Sequence, residues 1–308
     1  MGLFHCPMGC AYYEDEPCID CCLCLATTEE ERIESSKRIR EYLRAHSVKR
    51  SGPSQRIAVC GKGGTGKSTI VALMANAFLG LGYGVWVVDT DESNWGLPRM
   101  LGFDRQPRPL ISLLEGFPSG GMELRPNWFN RKEISPQEIP GEYLVGRGNL
   151  GLLITGKITD PFQGCACSMG DLARDLVKKL VLEEKEILLI DTEAGVESFG
   201  RGVERGADTV LIVVEPSFES LALAEKIHSM AEGIGVSRIR AILNKVPSEK
   251  VEKRILEEME KKKIRVAGRI YLDPEISEAG LEGKGPPEKA GAQTAARDIV
   301  EGLLNASG

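Results

Sequence analysis

Residues 56–69 read RIAVCGKGGTGKST. Four residues of apolar character, 57–60, run into a loop with glycines at 61, 63, 64 and 66, and the loop closes on Lys67, Ser68 and Thr69. The apolar run is strand-like and residues 69–80 carry a helical pattern, so the glycines stand between a strand and a helix. In that setting G-x-x-x-x-G-K-[ST] is a phosphate-binding loop. Glycines let consecutive backbone N–H groups turn inward around phosphate oxygens, and the helix beyond presents its positive dipole end. The spacing predicts that Lys67 reaches the β- and γ-phosphates and that Ser68 ligates Mg²⁺. Gly61, Lys62, Gly63, Gly64, Thr65, Gly66 and Thr69 complete the expected nucleotide cradle. Cys60 ends the apolar strand and is expected in the core.

The same alternation continues beyond this loop. Apolar runs at 85–89, 150–154, 187–191, 209–214, 241–244 and 266–270 are mostly continuous and rich in Val, Ile and Leu. Runs of that kind suit parallel strands buried on both faces. Helix candidates lie between or after them at 171–183, 220–232, 248–262 and 293–304; Leu172, Leu176 and Leu180 share one helical face. Strand–helix alternation predicts an α/β domain over 51–308 with a mostly parallel sheet flanked by helices. The stretch 102–148 is Pro/Gly-rich and poorly periodic, and reads as an insertion with short helices, a candidate mobile lid. Ahead of this domain, residues 1–50 form a small Cys-rich module with one helix: an acidic segment over 1–26, then a helix over 29–46 opened by a Thr28–Glu31 capping box. SVKRSGPSQ, 47–55, reads as the linker.

Composition excludes several classes. The chain has 308 residues, 42% hydrophobic and 27% charged, enough for a sizeable core. With 39 basic and 45 acidic residues the net charge is −6, which argues against a nucleic-acid binder. The N-terminus lacks a basic start and an apolar run of signal-peptide length, and no stretch approaches the ~18 apolar residues of a spanning helix. A cytoplasmic protein with no membrane partner is expected. His5, His46 and His228 are scattered; His228, on an apolar helix, reads as structural, and the lysines at 261–263 as a solvated helix end.

Lys62 gives the loop a second lysine. KGGTGKS resembles the deviant Walker A motif of the MinD/ParA/nitrogenase-iron-protein superfamily. The resemblance implies that Lys62 contacts nucleotide phosphate across an ATP-dependent homodimer. VVDTDESN, 87–94, is similar to the family's D-x-D switch I, so that Asp91 would orient the attacking water. ILLIDTEAG, 187–195, matches the Walker B strand and switch II: Asp191 would assist Mg²⁺ through water, and Gly195 would let the backbone sense the γ-phosphate. Asn244, in AILNKV, matches the base-contacting Asn. The guanine-specific N-K-x-D pattern is incomplete, which favours ATP over GTP.

Nine cysteines divide into six between Cys6 and Cys24, Cys60 alone, and the pair Cys165/Cys167. Two thiols two residues apart can grip one soft ion but leave a tetrahedral site half filled; a symmetric dimer would supply four. Placement of this C-x-C before the Walker B strand is similar to the CooC-type ATPases, which serve nickel insertion into carbon monoxide dehydrogenase. The resemblance, over about 56–305, implies an ATPase acting as a metallochaperone. It would carry Ni²⁺ or Zn²⁺ at Cys165/Cys167 and serve a carbon monoxide dehydrogenase/acetyl-CoA synthase client. Cys18, Cys21 and Cys24 form C-x₂-C-x₂-C, with Cys6 and Cys10 upstream; this spacing suits a [4Fe–4S] cluster, with zinc the second reading. An ATP-gated iron–sulfur reductase and an iron–sulfur scaffold ATPase are the alternatives on the same scaffold.

Overall fold

A computed structural model describes residues 56–114, 128–157 and 166–305, together with Thr28, Glu30, Glu31 and Glu34. Eight strands form one sheet: β1 Arg56–Gly61, β2 Gly84–Asp89, β3 Val145–Arg147, β4 Leu150–Ile154, β5 Glu186–Asp191, β6 Thr209–Val214, β7 Arg238–Val246 and β8 Val266–Tyr271. Their spatial order is β3-β4-β2-β5-β1-β6-β7-β8, with every neighbouring pair parallel except β3–β4. The seven strands expected from apolar runs are all present. The eighth, β3, is a three-residue antiparallel edge strand at the end of the 102–148 stretch, too short to leave a periodic signal.

Continuous apolar strands follow from burial on both faces. Ile57 and Val59 point into one layer, with Val85, Val87, Leu189 and Val213; Ala58 and Cys60 point into the other, with Leu188, Ile190 and Ile212. The first layer is covered by α1 (Lys67–Gly80) and the C-terminal helix Gly291–Asn305. Phe78 on α1 is almost wholly buried and meets Tyr83 edge-on, with ring centroids 5.9 Å apart. The second layer is covered by the helices Ala166–Lys179, Phe218–Gly233 and Glu249–Lys261. Numbered in chain order, with the short helices Leu97–Met100, Glu197–Arg201 and Pro274–Leu281 included, these are α1 (67–80), α2 (97–100), α3 (166–179), α4 (197–201), α5 (218–233), α6 (249–261), α7 (274–281) and α8 (291–305). Lys261 closes α6 exposed and paired to Glu258, a solvated helix end.

Helix α3 departs from its expected bounds at both ends. It begins at Ala166 and stops at Lys179, because Leu180 leaves the helix to bridge Ile134 in parallel. Ile134 belongs to the Pro/Gly-rich stretch expected to be an insertion. The described parts of that stretch enter the core: Leu110, Leu113, Phe129, Ile134 and Tyr143 are all buried. Such side chains contribute about 1.5–3 kcal/mol each by leaving water, which ties these parts down. The Thr28–Glu31 capping box is formed, with Thr28 N donating to Glu31 Oε2 at 3.0 Å and Glu31 N to Thr28 Oγ1 at 3.2 Å. Cys6, Cys10, Cys18, Cys21, Cys24 and Cys165 lie outside the described residues; Cys167 falls in the first turn of α3, its side chain outside the description. Among the described residues no helix is long and apolar enough to cross a membrane.

Candidate nucleotide site

In an open parallel sheet, ligands bind beyond the carboxyl ends of the strands where the strand order switches sides. Here β1 is flanked by β5 and β6, and the chain leaves β1 first toward β2 and later toward β6. The loop 61–66, the segment after β2 and the segment after β5 all emerge at that end. Register places Val59 beside Asp191 and Asp89 beside Asp191, so the D-x-D and Walker B acids stand on adjacent strands.

Two glycines of the loop are dictated by space as well as by backbone. Gly61 has φ +150°, and a Cβ there would come 2.6 Å from the Val213 carbonyl oxygen. Gly66 caps α1 in the left-handed region at φ +91°, and its Cβ would strike Asn244 Nδ2 at 2.6 Å. Between them Thr65 Oγ1 donates to Lys62 O at 2.9 Å, closing the turn. Asn244 Nδ2 donates to Thr65 O at 2.8 Å. The resemblance assigns Asn244 a base contact; in this structure its amide nitrogen braces the loop. Gly195 N donates to Gly61 O at 3.1 Å, so the switch II amide rests on the loop's first carbonyl.

Lys67 is buried at the start of α1. Ser68 Oγ donates to Asp191 Oδ2 at 2.6 Å and accepts from Asn94 Nδ2 at 2.6 Å. Asp191 is fully buried and its Oδ1 has no hydrogen-bond partner. Burial pushes its carboxyl above the usual carboxylate range, opposed by the Ser68 hydrogen bond and the charge of Lys67. An orphaned buried carboxylate oxygen beside a serine hydroxyl suits a hard cation with oxygen ligands, so these residues fit Mg²⁺.

Asp89 is also fully buried, paired with Lys157 Nζ at 2.7 Å. Burial pushes its carboxyl up and Lys157 opposes that shift. Asp91 is half-buried, and its Oδ1 accepts from Ser93 N at 2.9 Å and Ser93 Oγ at 2.6 Å. Lys62 stands at the mouth, its side chain 37% exposed and paired with Glu215 Oε1 at 3.2 Å. Lys245 approaches the same Glu215 at 3.8 Å and also donates to Gly64 O; it holds φ +55°, a strained value for a residue with a Cβ.

The structure therefore gathers Lys62, Lys67, Ser68, Asp91, Asp191, Gly195 and Asn244 around one loop. Sequence reasoning missed Asn94, Lys157, Glu215 and Lys245. Asn94 and Lys245 sit within the motif strings VVDTDESN and AILNKV, where a search for side chains facing the loop would have found them. Lys157 lies 68 positions from Asp89 and no local pattern marks it; Glu215 lies within IVVEPSFESL, 153 positions from its partner Lys62. Cys60 is buried as expected, its Sγ 3.9 Å from Glu204 Oε1, and burial pushes its thiol pKa well up.

Comparison with known proteins agrees with this geometry. Residues 57–287 match the CobQ/CobB/MinD/ParA nucleotide binding domain. The chain is 40% identical over 252 residues to an uncharacterised ATP-binding protein of Methanocaldococcus jannaschii, covering 80% of this chain and 98% of that protein. It is 34% identical over 200 residues to the carbon monoxide dehydrogenase accessory protein CooC of Rhodospirillum rubrum, covering 63% of this chain and 75% of that protein. Among solved structures, the septum site-determining protein MinD of Pyrococcus horikoshii, complexed with Mg-ADP, matches with a TM-score of 0.63 at 19% identity, over 82% of this chain and 97% of that one; at that identity the likeness is one of fold. With a family match spanning most of the α/β domain and a relative at 40% identity, the chain belongs to the CobQ/CobB/MinD/ParA nucleotide-binding family of P-loop proteins.

Proposed function

We propose that this chain is an ATP-dependent metallochaperone. Two copies close around ATP, and Lys62 of each reaches the phosphates held by the other. Hydrolysis resets the pair, and nickel passes to a carbon monoxide dehydrogenase/acetyl-CoA synthase type client. The protein acts in the cytoplasm. What carries the reading is the loop itself: Lys67 buried beneath it and Lys62 at its mouth, the latter held by a part-exposed ion pair that a competing phosphate can replace. Exposed pairs of this kind contribute about 0–1 kcal/mol, little to overcome. The likeness to a carbon monoxide dehydrogenase accessory protein supports the choice of client.

In this reading Ser68, and Asp191 through water, hold Mg²⁺, which when bound neutralises charge developing on the phosphate oxygens. Gly61 to Gly66 present backbone N–H groups to the phosphates, Lys67 pairs with the β/γ oxygens, and Asp91 orients the attacking water. The metal cargo is held by Cys165 and Cys167 from both copies, as Ni²⁺ or Zn²⁺. Helix α3 carries Cys167 in its first turn and packs by Val177 on Gly206, in the 3₁₀ turn that follows α4, where an added Cβ would come 2.6 Å from Val177 Cγ1; this contact supports coupling between the two sites in the proposed mechanism. The N-terminal cysteines hold a [4Fe–4S] cluster or zinc. Their C-x₂-C-x₂-C spacing is the one observation favouring a second reading, an ATP-gated iron–sulfur reductase or cluster scaffold.

The test is anaerobic purification with iron, sulfide, nickel and zinc counted per chain, repeated for Cys165→Ala/Cys167→Ala. The double variant is expected to lose nickel or zinc while keeping N-terminal iron; loss of a redox-active iron–sulfur cluster instead would overturn the chaperone reading. In parallel, Lys62→Ala is expected to abolish ATP-induced dimerisation by light scattering, and dimerisation that survives it removes the cross-subunit role.

A further inference from the structure

We infer that Lys157 is a positioning residue for switch I: its ammonium, locked on the Asp89 carboxylate, fixes the backbone of Asp91 and thereby the point from which Asp91 acts on the reaction. The inference rests on the ATPase reading above. Lys157 lies three residues beyond the end of β4, and β4 pairs with β2 in a register that sets Ile154 beside Asp89. The two chain ends therefore leave the sheet at the same height. Lys157 is 1% exposed and Asp89 fully buried. Taking both charges out of water costs several kcal/mol per ion unless every polar atom is matched.

The matching is where Asp91 enters. Asp89 Oδ2 accepts from Lys157 Nζ at 2.7 Å, and its other oxygen, Oδ1, accepts from Asp91 N at 3.0 Å. Lys157 Nζ also donates to the Asp91 carbonyl oxygen. Both backbone polar groups of Asp91 are thus tied to one buried ion pair. Asp89 is itself anchored, its carbonyl accepting from Thr155 N at 2.9 Å and Thr155 Oγ1 at 3.1 Å. The Asp91 carboxylate, by contrast, is engaged only near the surface with Ser93 and can exchange that bond for another partner. The residue is held at its backbone by the buried pair and at its side chain only by Ser93 at the surface. A structural role alone would not need this arrangement, since an apolar pair of similar volume stabilises a core as well as a buried ion pair does. An apolar pair could not hold the Asp91 carbonyl.

Three proteins test this: wild type, Lys157→Arg, which keeps the charge and the donors, and Asp89→Asn/Lys157→Met, which keeps a neutral buried pair and the acceptor for Asp91 N–H but removes the donor to its carbonyl. Misplacing a reacting group by about 1 Å can cost up to ~100-fold, so the double variant is expected to lose at least about tenfold in kcat with KM for ATP within about threefold. Lys157→Arg keeps the charge and donors but crowds a fully buried site, so it is expected to lose less kcat than the double variant. Amide exchange over residues 89–94 in the nucleotide-free proteins is expected to speed up more in the double variant than in Lys157→Arg. A folded double variant with wild-type kcat, or with the loss in KM instead, or with unchanged exchange, overturns the inference. Wild type that binds ATP without turning it over defeats the hydrolysis reading instead, and the exchange arm then decides the pinning by itself.

Discussion

The phosphate loop and switch I emerge two strands apart at the same end of the sheet, and they are held in different ways. The loop is shaped by glycines at φ +150° and +91° and a Thr65–Lys62 turn, and its carbonyls are braced by the Asn244 and Lys245 side chains and the Gly195 amide. The segment after β2 is held by a buried side-chain pair, Asp89 at the end of β2 and Lys157 in the loop beyond β4. A loop pinned at its carbonyls and glycines is held along its whole length, and in the proposed function its N–H groups meet phosphate. The segment after β2 is held chiefly where the ion pair grips the Asp91 backbone.

That contrast can be broken from the switch I side first. Lys157→Met leaves the Asp89 carboxylate buried without its cation, and we expect a loss of about 3–5 kcal/mol in chemical denaturation. Adding Asp89→Asn should restore most of it; a single variant as stable as wild type would mean the pair holds nothing. On the loop side the cost is steric. Gly61→Ala drives a Cβ to 2.6 Å from the Val213 carbonyl, an overpacking cost of about 1–3 kcal/mol read as a lower urea midpoint, with weaker nucleotide binding besides.

The smallest effect expected lies behind β1 and depends on pH. Glu204, buried behind β1 against Cys60, has its carboxyl pushed up to about 7 by burial, from an ordinary 4.5. The folded chain therefore holds this proton more tightly than the unfolded chain. Stability falls as pH rises from about 4.5 through about 7 and stays low above it. Glu204→Gln should flatten that slope in melts between pH 5 and 8 and raise stability at pH 8 by about 1–2 kcal/mol. A steeper slope, or a loss at pH 8, would show that the charged form is the one the fold prefers.

Legibility followed the range of the interactions. The runs at 150–154 and 209–214 match β4 and β6 residue for residue, because strands buried on both faces leave an unbroken apolar signature. Strand β7 runs from Arg238 to Val246, beyond the 241–244 expected, since Arg238 and Arg240 interrupt the apolar pattern while their backbones pair with β6. Helix α7 left no stripe to read: only Ala279 is buried, and its start is set by the Asp273 cap followed by Pro274. The stretch 102–148 looked like an excursion because its anchors are scattered. Phe129, Ile134 and Tyr143 reach the core one at a time, from segments without periodicity.

The phosphate loop, the strand that delivers it and the acids of the D-x-D and Walker B segments are legible in the chain alone, because each depends on residues within a few positions of one another. Glycine spacing, a strand's apolar run and an acid at a strand's end are local facts. What grips those elements emerges from folding: Lys157 under switch I, Glu215 on Lys62, and Asn244 across the loop, 68, 153 and 179 positions from their partners. A buried charge is tolerable only where the fold brings its counter-charge, and that meeting is set by strand order and register, which no short stretch of chain encodes.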